Sequence, residues 1–146
     1  MTFPDELAAY AAFFETLTPA SLQQLDRLVT DDVIFRDPFN EVRGRDGMRR
    51  VFLRMFDDVV DPRFVVTATA REGNIAFVRW RFTGQMRASR AAPLRLEGVS
   101  EILLSADGKV SAHIDHWDAA SQLYERLPLV GWLLRRLRRK LSVQNG

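Results

Sequence analysis

The hydrophobic period of this chain changes near Phe64 from mainly helical spacing to two, and that change limits what the chain can fold into. Before it, apolar residues recur at helical spacing. In residues 5–17, Leu7, Tyr10, Phe14 and Leu17 share one stripe, and Pro4 suits a first turn. Thr18-Pro19 opens a second predicted helix carrying Leu22, Leu25, Leu28 and Val29. Met48, Val51, Phe52, Met55 and Phe56 mark a third over 46–58. A short strand is predicted over 33–39, and 40–45 reads as a loop. Asp37-Pro38 ends the strand, because a residue before proline avoids helix and proline has no N–H to give. From Phe64 onward the period is two. Strands are predicted over 65–70, 75–86, 94–105 and 109–117, with turns at Glu72-Gly73-Asn74 and Asp107-Gly108. A helical segment follows from about Asp118 to Leu127, and after Pro128 another over 129–141. This is an α+β pattern: a curved antiparallel sheet on three N-terminal helices, with a C-terminal helical tail.

Composition narrows the chemistry. The 146 residues make one domain with a real core, divided as a body, 1–127, and a basic amphipathic helix, 128–146. With no cysteine there are no disulfides, thiolate metal sites, iron–sulfur clusters or cysteine nucleophile. Two histidines without clustered carboxylates give no metal site, and no glycine-rich phosphate loop is present, so no cofactor is expected. The net charge of +2 is uneven. Arg126, Arg135, Arg136, Arg138, Arg139 and Lys140 face only Glu125 in the last 22 residues, which leaves the body slightly acidic. A nucleic-acid surface spread over the body is therefore not expected. No apolar run is long enough to span a membrane. Asp5 and Glu6 stand where a signal peptide would carry positive charge, so a cytoplasmic location is expected.

Asp-Gly between two alternating segments is a strong hairpin signal. If Asp107-Gly108 alone form the loop, Ala106 pairs with Lys109, Leu104 with Ser111, Ile102 with His113, Ser100 with Asp115 and Gly98 with Trp117. Leu94, Leu96 and Ile102 share that parity, whereas Arg95, Glu97 and Glu101 share the other. The first face should pack on the helices, which puts Ser100, His113 and Asp115 on an otherwise apolar wall. On 75–86, Ala76, Val78, Trp80 and Phe82 face the same way. Arg79 and Arg81 point outward toward Glu97 and Glu101 as cross-strand pairs.

Two segments, LVTDDVIFRDPFNEVRGRDGMRRVF (28–52) and EILLSADGKVSAHIDHWD (101–118), resemble the nuclear transport factor 2-like superfamily. That group includes ketosteroid isomerases, limonene-epoxide hydrolases and SnoaL-like polyketide cyclases. The resemblance spans roughly 7–120. It implies a cone, in which helices close one side of a strongly bent sheet around a pocket open at one end. Asp37 matches the isomerases' catalytic aspartate and becomes the candidate general base. A carboxylate at a strand end beside Phe39, under helices, would be partly desolvated and its pKa would tend upward. The isomerases' oxyanion tyrosine corresponds to Phe13 and their protonated aspartic acid to Ser100, so both donors are replaced; Tyr10 lies one turn before Phe13. The last aspartate of the epoxide hydrolases matches Asp115, but their Arg-x-Asp is Arg79-Trp80-Arg81 here. His113 and Asp115 are similar in type to the Asp and neighbouring His of the cyclases.

Each candidate has a plainer alternative. Asp before Pro often only caps a turn. His113 and Asp115 could be a satisfied polar pair, and Trp80, Phe82 and Trp117 packing. The resulting expectation is a pocket for a small hydrophobic molecule. Asp37, Asp115 and His113 are its catalytic candidates. Tyr10, Phe13, Phe39, Trp80, Phe82, Ser100 and Trp117 are its walls. The alternatives are a binding module without turnover, or an interaction protein with a vestigial pocket filled by Phe13, Trp80 and Trp117. A homodimer through the convex sheet face, with Val99, Leu103 and Ile114, is expected from the resemblance. In the tail, Val130, Leu133, Leu134, Leu137 and Leu141 form one face with Trp132 beside it. Docking of that face on the body or on a partner subunit is favoured over contact of 129–141 with an anionic membrane.

Overall fold

Helix α1, Phe3–Glu15, follows the first apolar stripe and buries Leu7, Tyr10, Ala11 and Phe13. The structure is a computed structural model and describes residues 3–87, 93–122 and 128–141. The second predicted helix is shorter than its stripe suggested. A 3-10 turn, Ala20–Gln24, leads into one α-helical turn, α2, Leu25–Leu28. Val29 already belongs to a strand, β1, Val29–Arg36, because the chain must enter the sheet there with Val29, Val33 and Phe35 buried. Residues Glu41–Arg43, expected in a loop, pair with the end of β1 as a short edge strand, β2.

Helix α3, Arg45–Asp58, packs Met48 and Phe52 inward. The Arg45 guanidinium ties its first turn to β1: it donates to the Val29 carbonyl at 3.1 and 2.6 Å and pairs with Asp31. Strands β3 (Val59–Glu72), β4 (Ile75–Met86), β5 (Leu94–Leu104) and β6 (Val110–His116) form the meander. The six strands lie in the order β2-β1-β6-β5-β4-β3, a curved, unclosed sheet. Every neighbouring pair is antiparallel except β1 with β6, which run parallel, so the sheet is not antiparallel throughout. Two register shifts sit between β3 and β4, where bulges sharpen a sheet's bend. At the second, Glu15 at the end of α1 accepts the Val66 N–H at 3.1 Å and fixes the helix across the sheet.

The β5–β6 register is the one expected across the wall. Ser100 faces Asp115 and Ile102 faces His113. The turn itself differs. Ser105, not Ala106, closes it, with its N–H on the Lys109 carbonyl at 2.7 Å, and Gly108 adopts φ 82°. Three residues thus form the loop, with glycine in the left-handed position such loops favour. A register shift between Leu103 and Leu104 then takes up the extra residue, pairing Leu104 with Val110 instead of Ser111.

The inner face holds two apolar clusters. One lies closed beneath α1 and α3 and includes Tyr10, Phe13, Leu25, Val33, Phe35, Met48, Ile102 and Val110. The other, Val59, Trp80, Phe82, Leu94 and Leu96, lines the open end with Met55, Phe64, Met86 and Trp117 against it. Outside, Arg81 meets Glu97 at 3.4 Å as expected, while Glu101 meets His116 at 3.6 Å. Such exposed pairs stabilise by only ~0–1 kcal/mol. Val99, Leu103 and Ile114 are half-buried on that convex face, and Phe77 is exposed.

The helical segment predicted after Asp118 is seen as one turn, α4, Ala119–Gln122; residues 123–127 lie outside the described residues. Helix α5, Pro128–Leu141, begins on the proline, a first-turn position that needs no N–H. Leu133, Leu137 and Leu141 are 59%, 52% and 76% exposed, so within one chain these three leucines are not packed on the described body; docking on a partner subunit was the other arrangement favoured from sequence.

Candidate active site

Side chains from four elements meet at the base of the open end and form one hydrogen-bonded chain. The strand register sets three of them on one wall: Ser100 opposite Asp115, and Trp80 two residues along β4 from Val78, which faces Ser100. Trp80 fits only because its own partner is Gly98, on which a Cβ would come within 2.6 Å of the indole. From there Trp80 Nε1–H donates to Ser100 Oγ at 2.9 Å, and the Ser100 hydroxyl donates onward to Asp115 Oδ1. A second arm comes from α1. Tyr10 Oη lies 2.6 Å from His113 Nδ1, and His113 Nε2 lies 2.7 Å from Asp115 Oδ1.

Donor chemistry orients this chain. Indole N–H only donates, and an ionised carboxylate only accepts. Every group is satisfied when His113 is neutral with its proton on Nε2, giving that proton to Asp115 and accepting the Tyr10 proton on Nδ1. Tyr10 is able to keep its proton. Burial pushes its hydroxyl well above the usual phenol range, and the negative charge of Asp115 adds to this. Both arms therefore end on one oxygen, Asp115 Oδ1. Asp115 Oδ2 takes no hydrogen bond from any described residue. The Asp115 side chain is 17% exposed, against 4% for His113, so the carboxylate is the part of the chain that a ligand can reach.

Two cavities meet at Asp115. The inner one, beneath α1, has a volume of about 20 Å³, room for about one water, between Tyr10, Phe14, Phe52, Ile102 and His113. The outer one is the mouth of the cone. Its volume is about 510 Å³, within the range of small-molecule sites, and its walls are mainly apolar: Phe39, Met55, Phe82, Met86, Leu96 and Trp117. Phe52, Phe64 and Trp80 border both. Among the described residues no three His, Cys, Asp or Glu side chains stand together as metal ligands would.

The residues singled out from sequence separate into three groups. His113, Asp115, Ser100, Tyr10 and Trp80 come together in the polar chain, and Phe82, Phe39 and Trp117 line the mouth. Phe39, half exposed, meets Trp117 edge-on at 5.7 Å. Asp37 reaches the mouth but its oxygens are occupied. Oδ1 accepts the N–H groups of Phe39 and Asn40 at 2.8 and 2.6 Å, and the Asn40 amide spans both oxygens at 3.1 and 3.2 Å. This is the turn-capping role that Asp-Pro often plays. Phe13 is buried in the closed cluster and lines neither cavity. Phe14, Phe52, Met55 and Phe64 border the cavities and were not singled out. Phe14, Phe52 and Met55 lay on their helical stripes, where pocket and core look alike; Phe64 fell at the change of period.

Residues 10–113 match the model of the SnoaL-like domain. The chain belongs to the SnoaL-like family. No curated protein matches it. Solved structures share its fold at low identity. One is a protein with a ketosteroid isomerase-like fold from Catenulispora acidiphila, in complex with trimethylamine. It is 18% identical, covers 90% of this chain and 98% of its own, and has a TM-score of 0.73. Another is a nuclear transport factor 2-like protein of unknown function from Exiguobacterium, 20% identical, covering 80% and 98%, with a TM-score of 0.65. A third, from Jannaschia, is provisionally described as a SnoaL-like polyketide cyclase. It is 17% identical, covers 81% and 88%, and has a TM-score of 0.68. This SnoaL-like chain thus has the bent-sheet cone of its family, with a polar chain of its own residues at the base of the mouth.

Proposed function

We propose that the cone binds a small, largely apolar carbonyl compound and moves a proton on it, with Asp115 as the acid–base group. One observation supports this reading: at the base of a mainly apolar mouth, Asp115 Oδ2 takes no hydrogen bond from any described residue, while Oδ1 is held by two donors. A carboxylate fixed through one oxygen is aimed, and the other oxygen is left to accept a proton from the carbon beside a carbonyl. Returning that proton to another atom isomerises the compound or completes a ring closure, and nothing is consumed. His113 acts as a positioning residue, steadied by Tyr10. Support also comes from the provisional cyclase description of the Jannaschia neighbour. Asp37, whose oxygens serve its own turn, shapes the rim.

The test uses 2-tetralone, an apolar ketone with exchangeable α-hydrogens, in deuterated buffer. The wild-type chain should accelerate its exchange, and Asp115→Asn should lose ~10²–10⁴-fold of that acceleration. Quenching of tryptophan fluorescence, with Trp80 and Trp117 at the mouth, measures binding separately; affinity should change by less than about tenfold. Exchange at the wild-type rate in Asp115→Asn would remove the proton-transfer role. Quenching without any exchange would leave a binding module for apolar molecules.

A further inference from the structure

None of the described residues lining the pocket comes from α5, and the structure gives that helix an unusual surface. Its 14 residues place Leu133, Leu137 and Leu141 one above another at spacings of four, and all three are more than half exposed. Trp132 beside them is 49% exposed, with the Arg136 guanidinium 5.5 Å from its ring centre. Arg135, Arg136, Arg138, Arg139 and Lys140 share the helix with no acidic residue. At 100° per residue, Lys140 and Arg136 flank the leucine line on one side and Arg138 on the other. Basic residues on both sides of an apolar line can keep their charges among headgroups while their stems and the leucines enter the acyl boundary. A second copy of this helix would bring like charge against like. The slightly acidic body would itself be repelled by an anionic surface, so contact would fall on α5 alone. At about 1.5 Å per residue the helix is roughly 21 Å long. A hydrocarbon core is about 30 Å thick, and no described helix is long and apolar enough to cross it.

We propose that α5 is a peripheral anchor that lays Leu133, Leu137, Leu141 and Trp132 into the surface of a bilayer rich in anionic lipid. The arrangement does not depend on what the cone binds.

Flotation of the full-length protein with phosphatidylglycerol–phosphatidylcholine vesicles, and with phosphatidylcholine alone, tests it. Partitioning into the anionic vesicles should exceed that into neutral ones by more than about tenfold, since each basic residue near such a surface contributes several-fold. It should fall steeply with salt, because the screening length shrinks from about 30 Å at 0.01 M to about 3 Å at 1 M. The full-length double variant Leu133→Glu, Leu137→Glu should lose partitioning with its melting curve unchanged. Absence of partitioning would overturn the proposal. So would a lowered melting temperature in the double variant, which would mean that the leucines dock on the body. Loss of a dimer in that variant by light scattering would overturn it in favour of a second copy.

Discussion

Tyr10 is the deepest group of the polar chain, and its proton is tied to folding. The folded state raises its hydroxyl well above the ordinary phenol range, chiefly through burial and then through Asp115. An unfolded tyrosine loses its proton near pH ~10, so above that pH the unfolded chain binds fewer protons than the folded one. Stability from this group is complete below that pH. It is lost as pH rises toward the folded value, at up to ~1.4 kcal/mol per pH unit. Alkaline denaturation should therefore be steeper in the wild-type chain than in Tyr10→Phe, measured by circular dichroism between pH 9 and 12. Coincident slopes would show that Tyr10 ionises freely in the fold.

Between strands, the same chain depends on Gly98. Trp80 lies over it, and a methyl group there would meet the indole at 2.6 and 2.8 Å and the His116 carbonyl at 2.9 Å. Gly98→Ala should push Trp80 aside, break its bond to Ser100 and leave a buried N–H without an acceptor. The loss should be ~1–3 kcal/mol by thermal or urea unfolding. A stability within a few tenths of wild type would mean that the indole has room to move. This part of the site was legible in the sequence because strand parity is strict: Ser100, His113 and Asp115 share a face whatever the sheet packs against. The pairing of Ser100 with Asp115 survived a turn one residue longer than assumed, because the shift after Leu103 restored the register. Other parts were not legible. Three residues of strand at 41–43 are too short for periodicity to separate from loop, and the helix read on Leu22, Leu25 and Leu28 gave no sign that only its last turn is α-helical. The contact of Tyr10 with His113 depends on how α1 crosses the sheet, which a helical stripe does not specify.

For the whole molecule, the cone followed from the order of elements and the two motif segments, and the motif residues prove to be scaffold as much as site. Arg45 and Asp31 join α3 to β1, and Asp37 closes its own turn. The resemblance placed the base at Asp37, where a known catalytic position lies. Our proposal moves it to Asp115, because the Asp37 carboxylate already accepts the backbone N–H groups of Phe39 and Asn40 and the Asn40 side-chain amide. In the proposed function the mainly apolar wall of the mouth holds the ligand and the Asp115 carboxylate acts on it. A crystal structure of the chain with 2-tetralone bound tests this most directly. The ketone should lie in the mouth between Phe82 and Trp117, its α-carbon within about 3.5 Å of Asp115 Oδ2, the separation of a near-attack arrangement. A ketone whose α-carbon instead faces Asp37, or a mouth closed by its own side chains with no ketone in it, would contradict it.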